Sequence, residues 1–177
     1  NPAYQYALLH YILYRDKAKS IAVLMPFSEG LRSTADWYVQ LMAESLGKKY
    51  ARKISFNGAQ ESWEIDKDNL LNLGRTPIAA RGTNDLHSIQ QNNIEGQNDK
   101  TVTFIKLENF SRDLTVSQGA DFISNKKFSY LLNLAQEATV WALTTESRPN
   151  CSIILPELTP YYWGGLFATL HRQPARA

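Results

Sequence analysis

Ser20-Ile21-Ala22-Val23-Leu24-Met25-Pro26 decides the fold. The run is continuously apolar rather than alternating. Strands buried on both faces read this way, and they belong to parallel sheets covered by helices on two sides. Working outward, residues 101–107 (Thr-Val-Thr-Phe-Ile-Lys-Leu) and 151–155 (Cys-Ser-Ile-Ile-Leu) predict two more strands, the first rich in β-branched and aromatic residues. Residues 77–80 (Pro-Ile-Ala-Ala) fit a short strand or a loop. Helical spacing predicts helices between them. One covers 30–48, with Leu31, Ala35, Tyr38, Met42 and Ser45 on a stripe and Gly47 as its stop. Another spans 125–144, with Phe128, Leu131, Leu132, Ala135, Ala138 and Leu143 expected inside.

The chain opens on a further helix over 1–14, with Pro2 in its first turn and Tyr4, Ala7, Leu8, Tyr11 and Ile12 at helical spacing. Thr83 or Asn84 is placed to cap a helix reaching about Ile94, which Gly96 ends, and Thr159-Pro160 opens the last helix. Asn57-Gly58 marks a turn, and 64–73 fits a short helix. Strand–helix alternation predicts an α/β three-layer sandwich with a mainly parallel sheet, whose ligands bind outside the carboxyl ends of the strands.

Composition excludes several classes. The 177 residues suit one domain. Lys and Arg number 19 against 17 Asp and Glu, an excess too small to argue for nucleic acid. The tightest basic group, Lys48, Lys49, Arg52 and Lys53, reads as a solvated helix end. A single cysteine, Cys151, allows no intrachain disulfide and no cysteine zinc site, which suits a reducing cytoplasm. No apolar run approaches the roughly 20 residues of a membrane-spanning helix. The dinucleotide fingerprint, the P-loop and H-E-x-x-H are all absent. No signal peptide is recognisable at the start, and the tail after the last helix, 172–177, reads as the break-off of a longer protein.

Two polar clusters can carry chemistry. Gln40 and Glu44 are four residues apart and share one helix face. A carboxylate near the ligand edge can act as a general base if burial favours its protonated form; the plainer reading pairs Glu44 with Lys48. In Gly82-Thr83-Asn84-Asp85-Leu86-His87-Ser88, His87 just inside a helix can exchange a proton near neutral pH, or be an ordinary surface residue. His10 lies among aromatics and reads as packing, and His171 has no assigned role.

These segments resemble a known family. Glu44-Ser45-Leu46-Gly47-Lys48 is similar to the Glu-Ser-x-Gly-Lys motif of glucose-6-phosphate isomerases. Leu24-Met25-Pro26-Phe27-Ser28, followed by Asp36-Trp37-Tyr38, resembles the strand and helix that lead to it in bacterial members. Residues 82–88 resemble the family's Gly-x-Thr-Asp-x-His-Ser, and Glu95-Gly96-Gln97-Asn98-Asp99-Lys100 its Glu-Gly-x-x-Asp-Lys. The likeness runs through about residue 107 and continues more loosely from about 124 to 168.

The resemblance implies a sugar-isomerase (SIS) domain of flavodoxin-like type, with residues 1–177 the second such domain of a longer isomerase, truncated at both ends. It implies interconversion of glucose 6-phosphate and fructose 6-phosphate through a cis-enediol, without metal or organic cofactor, in a cytoplasmic homodimer that uses neither nucleic acid nor membrane. By motif match Glu44 is the base, His87 assists ring opening and Gln40 contacts substrate; Lys48 is structural. In family dimers the histidine reaches into the partner's site. The Ser/Thr-rich phosphate loop, the Gly-Gly-Arg-Phe-Ser segment with its arginine, and the closing Gln-x-Gly-Val-Glu-x-x-Lys are not matched, so the isolated piece is expected to be inactive. The alternatives are a non-catalytic module that binds a phosphosugar or dimerises, and another aldose–ketose isomerase on this fold.

Overall fold

The computed structural model describes residues 1–171; the tail read at 172–177 lies outside them. The chain runs α1 (Pro2–Lys17), β1 (Ile21–Pro26), α2 (Arg32–Leu46), β2 (Lys48–Asn57), β3 (Gln60–Leu73), β4 (Thr76–Ala79), α3 (Gln90–Glu95), β5 (Lys100–Leu107), α4 (Phe128–Thr145), β6 (Asn150–Leu155) and α5 (Pro160–His171), with single 3-10 turns at Glu29–Leu31 and Asn84–His87.

Four strands form a wholly parallel sheet in the order β4-β1-β5-β6. The two central strands are buried on both faces, and their side chains alternate between two cores. Ala22, Leu24, Ile105 and Leu107 point to one side and pack with Leu31, Ala35, Tyr38 and Met42 of the α2 region and Leu166 and Leu170 of α5. Val23, Met25, Val102 and Phe104 point to the other and meet Leu143 of α4, with Leu86, Ile89, Ile94, Leu132 and Ala135 around them. The result is the expected three-layer sandwich. The chain leaves β1 toward β4 over one face and β5 toward β6 over the other, so the direction of winding switches between β1 and β5.

The capping residues act largely as expected. Asn1 Oδ1 accepts from the Ala3 N–H at 3.0 Å with Pro2 at the first helical position. Gly47 ends α2. Thr159 Oγ1 accepts from the Tyr162 N–H at 3.5 Å, ahead of α5.

Four expectations need correction. Residues 64–73 are strand, not helix: β2 and β3 form an antiparallel hairpin across Gly58-Ala59, with Gly58 at φ 63, where a two-residue hairpin turn takes glycine. The basic group at 48–53 therefore lies on the opening residues of a strand, and only its first member, Lys48, touches the end of the preceding helix. Of the apolar stripe on α1 only Ala7 is buried; Tyr4, Leu8, Tyr11 and Ile12 are exposed, and Ala3 and His10 join Ala7 inside, because the two alanines let the helix approach closely. In α4 the inward stripe includes Gln136 and Thr139, while Phe128 and Ala138 are exposed. Gln136 is satisfied there by the Ser152 hydroxyl, to which its amide donates at 3.0 Å.

A buried polar node fixes α1 to the sheet. The Arg75 guanidinium donates to His10 Nδ1 at 2.8 Å, to the Ile21 carbonyl at 2.8 Å and to Thr101 Oγ1 at 2.6 Å. Accepting at Nδ1 requires a neutral ring protonated on Nε2, which faces Thr103 Oγ1 at 3.5 Å. His10 is thus a packed core residue, as read, and also the acceptor for a buried cation. Burial, followed by the Arg75 charge, lowers its pKa from 6.5 to about 3.

This depression has a definite sign. Above pH 6.5 the imidazole is neutral in both states and its full contribution to stability is present. As pH falls from 6.5 toward 3, the unfolded chain takes up a proton that the folded chain refuses, and stability drops by up to about 1.4 kcal/mol per pH unit. In His10→Gln the amide oxygen can still accept from Arg75 but does not titrate. Denaturant unfolding at pH 7, 6, 5 and 4 is expected to show a shallower acid loss for His10→Gln than for wild type; parallel losses would refute the role given to His10.

Candidate functional site

The two candidate catalytic residues stand at opposite edges of the sheet. At the carboxyl edge, Ala80 N–H bonds the Leu24 carbonyl and Gly82 N–H bonds that of Pro26, so the Asn84–His87 turn leads off the end of β4 beside β1. At that edge α2 also begins, where Trp163 Nε1–H donates to Thr34 Oγ1 at 2.9 Å. The helix then runs back across the sheet to Gly47, which packs against Gly74 just before β4 starts. Glu44 therefore sits at the amino edge. The ten residues from Thr34 to Glu44 separate it from the His87 edge by on the order of 15 Å. The expectation that Glu44 lies near the carboxyl edge is corrected: a helix that follows a parallel strand must return antiparallel to it, which carries its last turn to the far side.

Gln40 and Glu44 do share one face of α2, and both are exposed. No hydrogen bond or ion pair engages the Glu44 carboxylate among the described residues. Lys48 does not pair with it. Its ammonium donates to the backbone carbonyls of Glu44 and Gly47, both at 3.2 Å, capping the helix end. Lys48 is structural, as its motif position implied, and it leaves the carboxylate free.

Around His87 the turn is built by Asp85. Its Oδ2 accepts from the Arg81 N–H at 2.6 Å, and its Oδ1 accepts from the Ser88 hydroxyl at 3.0 Å. Thr83 makes no side-chain cap, and the single helix expected here is split into the 3-10 turn and α3. Gly82 is required by space: a Cβ there would lie 2.4 Å from the Phe27 ring. Leu86 packs against the second core while His87 faces solvent. Asp85 was quoted in the motif without a role; nothing but its place in a capping-rich stretch could have signalled one.

Two cavities lie elsewhere. One, of about 590 Å³, opens between α1, the start of β5, most of β6, and α5, and is lined by Tyr6, Leu9, His10, Thr101 and Cys151 among others. The other, of about 390 Å³, lies on the opposite face of β6 beside Trp141 and Glu137. Neither includes Gln40, Glu44 or His87. Burial pushes the Cys151 thiol pKa up, which opposes nucleophilic use. Among the described residues no group of three or more His, Cys, Asp or Glu could hold a metal ion, and no helix is long and apolar enough to cross a membrane.

The chain was compared with known proteins. No family model matches it. A glucose-6-phosphate isomerase of Carboxydothermus hydrogenoformans is 33% identical over 99% of this chain and 36% of its own length. A probable glucose-6-phosphate isomerase of Methanococcus maripaludis is 32% identical over 99% of this chain and 35% of its own length. Among solved structures, a hypothetical protein from Thermus thermophilus superposes with a TM-score of 0.80 at 28% identity, over 98% of this chain and 38% of that one. A glucose-6-phosphate isomerase from Chlamydia trachomatis superposes with a TM-score of 0.76 at 21% identity, over 99% and 33% of the two chains, a likeness of fold. The chain spans about a third of the length of the curated relatives it matches. The resemblance carried by the motifs is borne out along nearly the whole chain.

Removing the Asp85 carboxylate is expected to unfasten the turn that presents His87. Asp85→Ala should lower unfolding free energy by about 1–3 kcal/mol in denaturant melts, the range for a hydrogen bond to a charged group whose partner is left unmet. An unchanged midpoint would show that the turn holds without it.

Proposed function

We propose that residues 1–177 form the second sugar-isomerase domain of a glucose-6-phosphate isomerase, with Glu44 as the base that moves a proton between C2 and C1, His87 as the acid–base group at the ring oxygen, and Gln40 as a substrate contact. The observation that carries the reading is a free carboxylate one turn beyond an exposed glutamine on α2, within a sequence similar along its whole length to proteins named glucose-6-phosphate isomerase. The carboxylate is not spent on Lys48, which is what a proton-transferring group requires.

The placement of His87 gives this proposal its shape. One chain holds the base and the ring-opening group at opposite edges, so a complete site takes Glu44 from one copy and His87 from another. The site also needs parts these residues do not match: a grip for the phosphate, and a cation for the developing enediolate charge. Those lie in the rest of the polypeptide. The reading therefore assigns activity to the longer protein, working as a dimer in the cytoplasm.

A second reading, a non-catalytic domain that binds a phosphosugar or dimerises, is kept open by one observation: nothing in the sequence matches the family's Ser/Thr-rich phosphate loop. Calorimetric titration of this chain with fructose 6-phosphate separates the two, because tight binding without the phosphate grip would favour the sensor.

In the protein that carries these residues, Glu44→Gln is expected to reduce kcat by several orders of magnitude with little change in substrate binding. Near-normal turnover would remove Glu44 from the role. Unfolding and re-associating Glu44→Gln with His87→Ala in equal amounts should restore about a quarter of wild-type activity, since half the dimers are mixed and each mixed dimer has one intact site. No recovery, with mixed dimers demonstrably present, would place Glu44 and His87 in one copy's site instead.

A further inference from the structure

The β2–β3 hairpin is amphipathic, and no described residue covers its apolar face. The pairs Arg52–Ile65, Ile54–Trp63 and Phe56–Glu61 stand on one face; Lys53–Glu64, Ser55–Ser62 and Asn57–Gln60 stand on the other. The polar face closes on itself. Lys53 Nζ meets Asp66 Oδ1 at 3.2 Å, and the Ser55 and Ser62 hydroxyls are 2.9 Å apart. On the apolar face Ile54 is 48%, Phe56 71%, Trp63 55% and Ile65 57% exposed, with the Arg52 guanidinium 4.2 Å over the Trp63 ring. A two-stranded hairpin alone is marginally stable in water, and an apolar patch of this kind marks an interaction site.

We propose that this face docks on the carboxyl edge of a second copy of the chain and so holds the partner's His87 beside Glu44. The proposal rests on the isomerase reading above. β2 starts at Lys48, four residues after Glu44, so the hairpin leaves the sheet alongside the proposed base. The copy that completes the site has to present its own carboxyl edge there. The ten residues of β2 reach roughly 30 Å, enough to grip that edge from the side. The carboxyl edge also carries exposed apolar surface, at Leu158 and Tyr161. The four exposed hairpin side chains offer roughly 400 Å². Two-fold symmetry makes each copy both give a hairpin and receive one, which brings the area to roughly 800 Å² per partner, the size of a standard specific interface.

The test is cross-linking combined with sedimentation. Phe56→Cys, in a Cys151→Ala background, is labelled with a benzophenone maleimide and irradiated as a mixture of isotopically light and heavy protein. Mixed-isotope cross-links into peptides holding residues 84–87 or 158–161 are expected. Trp63→Glu should weaken self-association by at least about tenfold, as loss of a buried aromatic anchor does, while Ser55→Glu on the polar face leaves it unchanged; circular dichroism confirms that both variants fold. Cross-links confined to one copy, or a dimer indifferent to Trp63→Glu, would overturn the docking. Glu44→Gln separates this from the function: an active Glu44→Gln with intact inter-copy cross-links removes Glu44 as the base and leaves the docking standing, whereas an inactive Glu44→Gln without such cross-links keeps the base and overturns the docking.

Discussion

Everything in this molecule follows from the two-sided burial of β1 and β5. Ala22 to Met25 and Thr101 to Ile105 are almost completely shielded from water. Such strands cannot stand at a surface, so they must be flanked by further strands and covered by helices above and below. Parallel strands joined through helices also fix direction: each chain segment returns antiparallel to the strand it left. That geometry divides the molecule into a carboxyl edge, where loops leave strands, and an amino edge, where they enter.

The same constraint explains what was legible. Continuous apolar runs at 20–26 and 101–107 reveal double-sided burial without any knowledge of partners, and glycine and proline punctuation marked the helix ends at Pro2, Gly47 and Pro160. The hairpin was not legible as such, although Ile54 and Phe56 alternate with polar residues and face Trp63 and Ile65 across the turn. Its second strand also holds Leu70, Leu71 and Leu73 at spacings a helix tolerates, and the length of 64–73 fits either element. The stripe on α1, apart from Ala7, failed for a different reason. Periodicity shows that a face is apolar but not what it meets, and close approach by Ala3 and Ala7 decided the orientation. The His10–Arg75 node joins residues 65 positions apart, and no local pattern announces it.

For the site, residue types and spacing were legible while relative placement was not. Gln40 and Glu44 share a face because four residues make about one turn. That Glu44 lies at the edge opposite His87 depends on helix direction and on the strand order β4-β1-β5-β6, which emerges only from the packed sheet. Asp85 shows the same limit at smaller scale. A carboxylate four residues after Arg81 could be a surface charge, but in the folded turn it holds the Arg81 amide and the Ser88 hydroxyl and shapes the segment that ends in His87.

Exposure then distinguishes a domain built to work alone from one built to be covered. Stability here comes from the two cores and the Arg75 node, none of which needs the exposed aromatics of α1, the hairpin, α4 or the start of α5. Exposed in number, those side chains raise the risk of aggregation, so their presence points to cover by other surfaces. Glu44 shares that condition: free, exposed and unshielded, it lacks the dry surroundings in which a carboxylate moves protons efficiently. Cover that buried the hairpin face would stand next to Glu44, because only Ser45, Leu46 and Gly47 separate Glu44 from the start of β2. Closing the proposed interface and desolvating the proposed base would then be one event. On the proposed reading, that would tie the reactivity of the carboxylate to assembly, because no described residue pairs with it.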